Sequence, residues 1–273
     1  MGNYELRANK SLHRIAIAPG ELCVPPIASL RGECGAERGC LSLPSATLRG
    51  EPGTGDGCPF GAPLSAALGR FTESVGMRFT LDMNALIDVE KNEGAAADVR
   101  KLIALHDAGR AAVQVPAIAA SERLPGGKYA ASFAEFEQRV RALSNKPLEI
   151  LLPIGHFDVS FWDHALWAND AMVRLEKQVH DVLFPGQHYK WALVAADHGL
   201  DPNDPAAQSH ATWRQWRNRL CDTVGMWCHI HHGGDVFVTR DENFLKSAKK
   251  MALQRLGAKD ITEPSDAILL MNP

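Results

Sequence analysis

The sequence predicts an α/β fold: a three-layer α/β/α sandwich around a central, mostly parallel sheet, preceded by a flexible N-terminal segment. Three observations predict it. From Met77 onward, short apolar runs of strand length alternate with longer segments whose apolar residues recur at helical spacing. Strands separated by helices pair in parallel and take helices on both faces. The first 76 residues read differently. They hold roughly half of the chain's 23 glycines, many of its prolines and no sustained periodicity. A stretch such as residues 50–63 (GEPGTGDGCPFGAP) buries little apolar surface and has the composition of a linker.

The elements follow in order. Residues 78–81 form a short strand bounded by Asp82, and residues 84–90 open a helix. Residues 95–108 place Val99, Leu102, Ile103 and Leu105 at helical spacing and stop at Gly109. A second strand, 111–115, is closed by Pro116. Residues 117–124 are helical until Pro125-Gly126-Gly127 breaks them. Residues 132–143 are an amphipathic helix, 148–152 a third strand and 164–183 a long helix ended by Pro185-Gly186. Residues 197–205 are a loop rich in Asp and Pro. Residues 211–232 are helical and end at Gly233-Gly234, a strong C-terminal signal. Then come a strand at 235–239, a helix at 242–256 ended by Gly257, and a last strand at 260–262.

With 273 residues, of which 45% are hydrophobic, the chain can bury a substantial core. Its 29 Lys and Arg against 32 Asp and Glu give a net charge of -3. That excludes a generally basic nucleic-acid coat and leaves a local basic surface open. No apolar run is long enough to span a membrane. The patch at residues 15–18 is too short for a signal peptide, and MGNYEL lacks the Ser or Thr of a myristoylation signal. A soluble cytoplasmic protein is therefore expected. The six cysteines (Cys23, Cys34, Cys40, Cys58, Cys221, Cys228) form no C-x-x-C pair, which disfavours a zinc ribbon and predicts free thiols. The expected division is a low-order Gly/Pro-rich extension over 1–76 and a domain over 77–273, with Met77 as the expected true start. A disordered tail and a four-cysteine metal module are the other readings of 1–76.

In a parallel sheet of this kind the site lies beyond the carboxyl ends of the strands. Asp82 directly follows the first strand. Asp241 follows the 235–239 strand with only Arg240 between. If those strands are neighbours, the two acids face each other. Glu122 lies on the helix after the second strand, and Asp222 on the helix leading into the 235–239 strand. Grouped carboxylates without thiols form a hard, oxygen-rich site suited to Mg²⁺ or Mn²⁺. Without a cation they would repel one another.

These residues resemble a PIN domain, the metal-dependent ribonuclease fold of many bacterial toxins and RNA-processing nucleases. The opening block matches at Leu81, Asp82, Asn84, Leu86, Ile87 and Asp88, and the second at Val115–Ile118, Ser121 and Glu122. The third matches at Asp222, Gly233, Asp235, Val238, Thr239, Asp241 and Phe244, and the tail at Leu256, Gly257, Pro264 and Ser265. The resemblance implies that Asp82, Glu122, Asp222 and Asp241 bind the metal and carry catalysis. It implies that Asn84 and Thr239 orient them from behind. The implied reaction is metal-assisted hydrolysis of RNA phosphodiester bonds. A toxin held by an inhibitory antitoxin-like protein is one sub-reading, and a homodimer follows by analogy. The stretch from Glu122 to Asp222 is longer than a minimal PIN domain needs. The excess, a helical insertion at about 151–219, points to a larger relative. All six tryptophans lie in it or just after it.

Each residue also has a plainer reading. Asp82 and Asp241 can cap helices, and Glu122 and Asp222 can be solvated. Asp88 and Glu90 read as solvated helix residues, with Asp88 able to border the site. Asp235 starts its strand, at the wrong end for the site. His229, His231 and His232 with Cys228 read as core and helix-terminal groups; His229, seven residues after Asp222, keeps a minor role near the site open. Trp213 and Trp216 read as a core stripe with arginines in solvent, against a base-stacking alternative. Lys246, Lys249, Lys250 and Arg255 form a basic face, solvated or able to guide RNA. The competing functions are a non-catalytic PIN-like module binding RNA or protein, and another Mg²⁺-dependent phosphohydrolase. The haloacid-dehalogenase type of the latter wants a second Asp where Asn84 stands.

Overall fold

Residues 236–238 (VFV) are wholly apolar and residues 78–81 (RFTL) bury three of their four side chains, as strands covered on both faces do. In a computed structural model, which describes residues 76–123 and 129–271, they lie side by side at the centre of a five-stranded sheet. The strands are β1 (Arg78–Leu81), β2 (Ala112–Pro116), β3 (Glu149–Leu151), β4 (Val236–Val238) and β5 (Asp260–Thr262). Their order is β3-β2-β1-β4-β5, and every pairing is parallel. The chain builds outward from β1 through β2 to β3, then crosses to the other side of β1 for β4 and β5. The order reverses at the β1/β4 junction, where a crevice opens beyond the strand ends.

Nine α-helices cover the described sheet: α1 (Met83–Lys91), α2 (Ala96–Asp107), α3 (Phe133–Arg141), α4 (Asp170–Leu183), α5 (Trp191–Asp197), α6 (Ala211–His231), α7 (Glu242–Leu245), α8 (Ser247–Arg255) and α9 (Pro264–Leu269). Strand periodicity assigns them to layers. Phe79, Leu81, Val113, Val115, Val236 and Val238 point into a core with α1, α2 and α3. Phe237 and Ile261 point the other way, to Val179 and Leu183 of α4, Met226 of α6 and Leu253 of α8. A third core joins Leu151 and Ile118 to Trp213, Trp216, Leu220 and Trp227 of α6 and Val194 of α5. Each of these large side chains contributes about 1.5–3 kcal/mol on burial. The expected α/β sandwich with its parallel sheet is therefore present. The expectations for residues 1–75, including four of the cysteines, lie outside the described residues. The last two cysteines, Cys221 and Cys228, are free and buried. Among the described residues no helix is long and apolar enough to cross a membrane.

Three expected helix boundaries are corrected, each for a physical reason. The helix expected over 117–124 is a 3-10 turn, Ala117–Ser121, and Glu122 behind it is extended (φ -81°, ψ 162°). Pro125 has no N–H to offer the Ser121 carbonyl, which accepts from Arg217 instead (2.9 Å). The helix expected over 164–183 begins only at Asp170. Asn169 caps it through the N–H groups of Ala171 and Met172, while Leu166 is tied as a bridge to Ile154. The helix expected over 242–256 is broken at Lys246 (ψ 121°) into α7 and α8. Phe244 and Leu253 both enter one core. Nine residues apart on an unbroken helix they would face opposite ways, so the break lets both point inward. The 197–205 loop is preceded by α5, which the sequence reading passed over, as it did α9.

Candidate active site

Asp82 leaves β1 at the point where its own backbone N–H still bonds to Val238 O (3.0 Å), so it sits on the ladder between β1 and β4. It is also the N-cap of α1, accepting from Met83 N (2.8 Å) through Oδ1. Its other oxygen, Oδ2, accepts from Thr239 Oγ1 (2.6 Å) and Asn84 Nδ2 (2.7 Å). Thr239 is fully buried at the end of β4, and its hydroxyl oxygen accepts from Asp241 N (3.0 Å). Thr239 thereby fixes both acids that close the β1/β4 crevice. Asp241 is the N-cap of α7, accepting from Asn243 N (2.8 Å). The capping reading and the cleft reading of Asp82 and Asp241 thus describe the same side chains.

Asp82, Glu122, Asp222 and Asp241 line one cavity of about 380 Å³, together with Asn84, Ile87, Arg123 and Asn218. The four acids come from four separate segments. Glu122 arrives because the 3-10 turn stops at Ser121, so it stands just after a helical turn rather than on a helix as expected. Asp222 arrives on α6. Asn218, one turn before Asp222 on the same face, is a lining residue that the sequence reading missed; its i, i−4 spacing from Asp222 was the available signal. Neither carboxylate of Glu122 and Asp222 has a side-chain hydrogen bond among the described residues, in contrast to Asp82.

The electrostatics follow from this crowding. Burial pushes the Asp82 carboxyl up to about 6 against its hydrogen bonds from Thr239 and Met83, and the Asp241 charge adds to the rise. Glu122 lies well above the usual carboxylate range through burial first, then the charges of Asp82 and Asp222. Asp222 is raised likewise by burial, Asp82 and Asp241. The acids therefore share one unfavourable field that a cation would relieve. The donor set, four carboxylates and two amides with no lining thiol or imidazole, suits a hard divalent ion. Among the described residues, no three His, Cys, Asp or Glu side chains stand as a ready-made chelating group. The acids share the cleft as separate charges, not as a closed chelate.

The remaining candidates are structural. Asp88 is buried, not solvated: it pairs with the Arg240 guanidinium and accepts from Ala95 N (3.0 Å), and it does not line the cavity. Since Arg240 precedes Asp241 and its N–H bonds to Asn84 Oδ1 (3.2 Å), this pair ties α1 to the loop carrying Asp241. Glu90 is held by Arg139 at 2.8 and 2.9 Å. Asp235 sits at the opposite end of the sheet, paired with Arg78 and Lys259. His229 is a core residue, as its main reading has it, and does not line the cavity. It is fully buried, shares a hydrogen bond with Thr80 Oγ1 (2.9 Å), and burial lowers it to about 4. Trp213 and Trp216 are buried against Trp191, as the core reading has it. Arg217 is not in solvent: its guanidinium lies 4.1 Å over the Tyr129 ring and bonds the Ser121 carbonyl. In the basic face, Lys250 pairs with Asp260 (2.8 Å) and Lys249 bonds the Leu183 carbonyl at the end of α4.

Comparison with protein-family models, with curated proteins and with solved structures finds no match to the chain.

Proposed function

We propose that the protein is a Mg²⁺- or Mn²⁺-dependent ribonuclease that hydrolyses phosphodiester bonds in single-stranded or structured RNA. One observation carries this reading: four carboxylates from four segments meet in one cleft at the switch point of a parallel sheet, and three of them are pushed up by burial and by one another. A structural role would pair such charges with bases, as Asp88, Glu90 and Asp235 are paired. The cleft acids are instead left facing a space large enough for a phosphate group.

Asp82, Glu122, Asp222 and Asp241 would hold the ion, which when bound supplies a nucleophilic water at neutral pH and neutralises phosphate charge. The chain's own residues prepare the cleft for it. Thr239 and Asn84 fix Asp82 Oδ2, so this carboxylate enters the reaction already oriented. Glu122 and Asp222, raised toward neutrality, can each hold a proton on a carboxyl oxygen and give it up as the cleft gains positive charge. The Asp88–Arg240 pair keeps the Asp241 loop against α1.

A second reading, a non-catalytic binding module, is favoured by the open spacing of the acids, which form no ready-made chelate among the described residues. The test is cleavage of a mixed-sequence single-stranded RNA by the full chain with Mn²⁺ or with EDTA, beside Asp82→Asn and Asp241→Asn. Metal-dependent cleavage lost in both variants supports the ribonuclease. A folded protein that neither binds Mn²⁺ nor cleaves refutes it in favour of the binding module.

A further inference from the structure

Of the four cleft acids, Glu122 has the least support from its own segment. Asp82 and Asp241 cap α1 and α7, and Asp222 lies within α6. Glu122 stands on neither a helix nor a strand. It follows the 3-10 turn Ala117–Ser121 in extended backbone, and its N–H reaches back to Ala119 O (3.2 Å). Its carboxylate meanwhile faces the charges of Asp82 and Asp222 across the cleft. A side chain placed in this way must be fixed from outside its own segment.

Both chain neighbours of Glu122 are tied down, and one guanidinium takes part on each side. On the near side Ser121 is 1% exposed. Its hydroxyl donates to Val159 O (2.6 Å), and its carbonyl accepts from Arg217 Nε (2.9 Å). On the far side Arg123 is bridged antiparallel to Tyr129, and the Arg217 guanidinium lies 4.1 Å over the Tyr129 ring. Arg217 Nη1 also donates to Asp158 O (3.5 Å), next to the carbonyl that receives the Ser121 hydroxyl. Arg217 and Asp222 share α6, so the same group ties the Glu122 segment to the helix that carries a second cleft acid. Arg217 directs its donors to carbonyls and its face to a ring. What acts on the Glu122 carboxyl is burial, Asp82 and Asp222.

We propose that Arg217 is a positioning residue that holds Glu122 in the cleft as an ion ligand, with the backbone of Asp158 and Val159 as its outer support. The inference rests on the reading of the four acids as an ion site. It gives a task to the segment that lengthens the chain between Glu122 and Asp222. The place calls for a planar fork. Two carbonyls from different segments and one ring face are met at once by a guanidinium, whereas an ammonium is a single point of charge. Ion ligation tolerates an error of only about 0.2 Å in ligand distance. Loosening this tie should therefore weaken ion binding before it unfolds the domain.

The test uses the full chain as wild type, Arg217→Lys, Arg217→Gln, Glu122→Gln and the double variant of Arg217→Lys with Glu122→Gln. Urea unfolding in EDTA confirms that each is folded; should the Arg217 variants not fold, Tyr129→Leu, which removes the ring face, carries the same readouts. In EDTA, amide hydrogen exchange over residues 117–123 should quicken in both Arg217 variants and stay unchanged in β1 and β4. Mn²⁺ affinity by calorimetry should fall about tenfold in both, lysine included. On top of Glu122→Gln, Arg217→Lys should cost less than about twofold, because its effect runs through Glu122. Where Glu122→Gln binds too weakly to measure, exchange and the single-variant affinities decide. With saturating Mn²⁺, kcat should fall while KM for RNA holds. Wild-type exchange and affinity in Arg217→Lys overturn the proposal, as does a full tenfold loss on top of Glu122→Gln. A raised KM that lysine restores makes Arg217 a phosphate contact and overturns it too. A wild type that binds no Mn²⁺ overturns it together with the ion site. Coupling of Arg217 to Glu122 without RNA cleavage supports the positioning role and overturns the ribonuclease. Metal-dependent cleavage without that coupling overturns the positioning role and leaves the ribonuclease.

Discussion

Asp82→Asn is expected to strengthen the fold at neutral pH while abolishing the proposed activity. The Asp82 carboxyl rises from 3.8 to about 6 in the folded protein. A carboxyl raised on folding keeps its proton longer in the native state than in the unfolded chain. The wild type is therefore favoured below about pH 4, loses stability as the pH climbs from about 4 to 6, and stays at the lower level above that. At 1.36 kcal/mol per unit, the full loss is about 3 kcal/mol. Asparagine escapes it. Its amide has one acceptor oxygen, so it cannot accept on both sides as Asp82 does from Met83 and from Thr239 and Asn84. That deficit is about 1 kcal/mol. The net gain above pH 6 is about 2 kcal/mol, or roughly 4–8 °C in Tm for a domain of this size. Below about pH 4 the sign reverses and the variant is about 1 kcal/mol weaker. Thermal and urea unfolding of both proteins in EDTA, from about pH 4 to pH 8, measure the crossing. A variant that is less stable by the same amount at every pH would refute the idea that the cleft is electrostatically strained.

The other expectations concern the surroundings of that carboxylate. Mn²⁺ affinity, followed by calorimetry in buffers of different ionisation enthalpy, should rise between about pH 5 and 7.5 with proton release, because Asp82, Glu122 and Asp222 must shed protons to bind it; pH-independent binding would count against those three as ligands. Thr239→Val removes a donor to Asp82 and the acceptor for Asp241 N, and should lower cleavage about 10–100-fold. Arg240→Met breaks a pair whose carboxylate is buried but whose guanidinium is half exposed, so urea unfolding should show a loss of about 1–2 kcal/mol. Gly155→Ala drives a methyl group into the Trp162 ring and should destabilise by about 1–3 kcal/mol, with a shift in tryptophan emission.

Much of the fold was legible because its signals are local. Strand β1 over residues 78–81 and strand β5 over 260–262 were read to the residue, since each is a short segment rich in β-formers (Phe79, Thr80; Ile261, Thr262) with a polar or turn-forming stop. The acids at the cleft were legible because they stand at strand ends: Asp82 directly after β1, and Asp241 two residues beyond β4. What escaped depends on partners far along the chain. The 3-10 turn before Glu122 ends where Arg217 captures a carbonyl 96 residues away in sequence. Asp88 looks like any exposed helix residue until Arg240, 152 residues on, folds onto it. The break at Lys246 reflects one core's demand for both Phe244 and Leu253. Asn169 before α4 and the Pro264 start of α9 were different, since ordinary capping and N1 preferences could have marked both.

The crossing from β3 to β4 has a consequence for biosynthesis. β1 is the middle strand, yet one of its two neighbours is encoded close beside it and the other far downstream. While the segment between Leu151 and Val236 is being translated, roughly 4–17 s at ~5–20 residues per second, β1 presents an unpaired edge on its β4 side. Over that interval Asp82 also lacks Thr239, and the cleft lacks Asp222 and Asp241. A growing or truncated chain thus exposes an adhesive strand edge before it possesses a finished cleft. Its demand on folding helpers should peak before the cleft is complete.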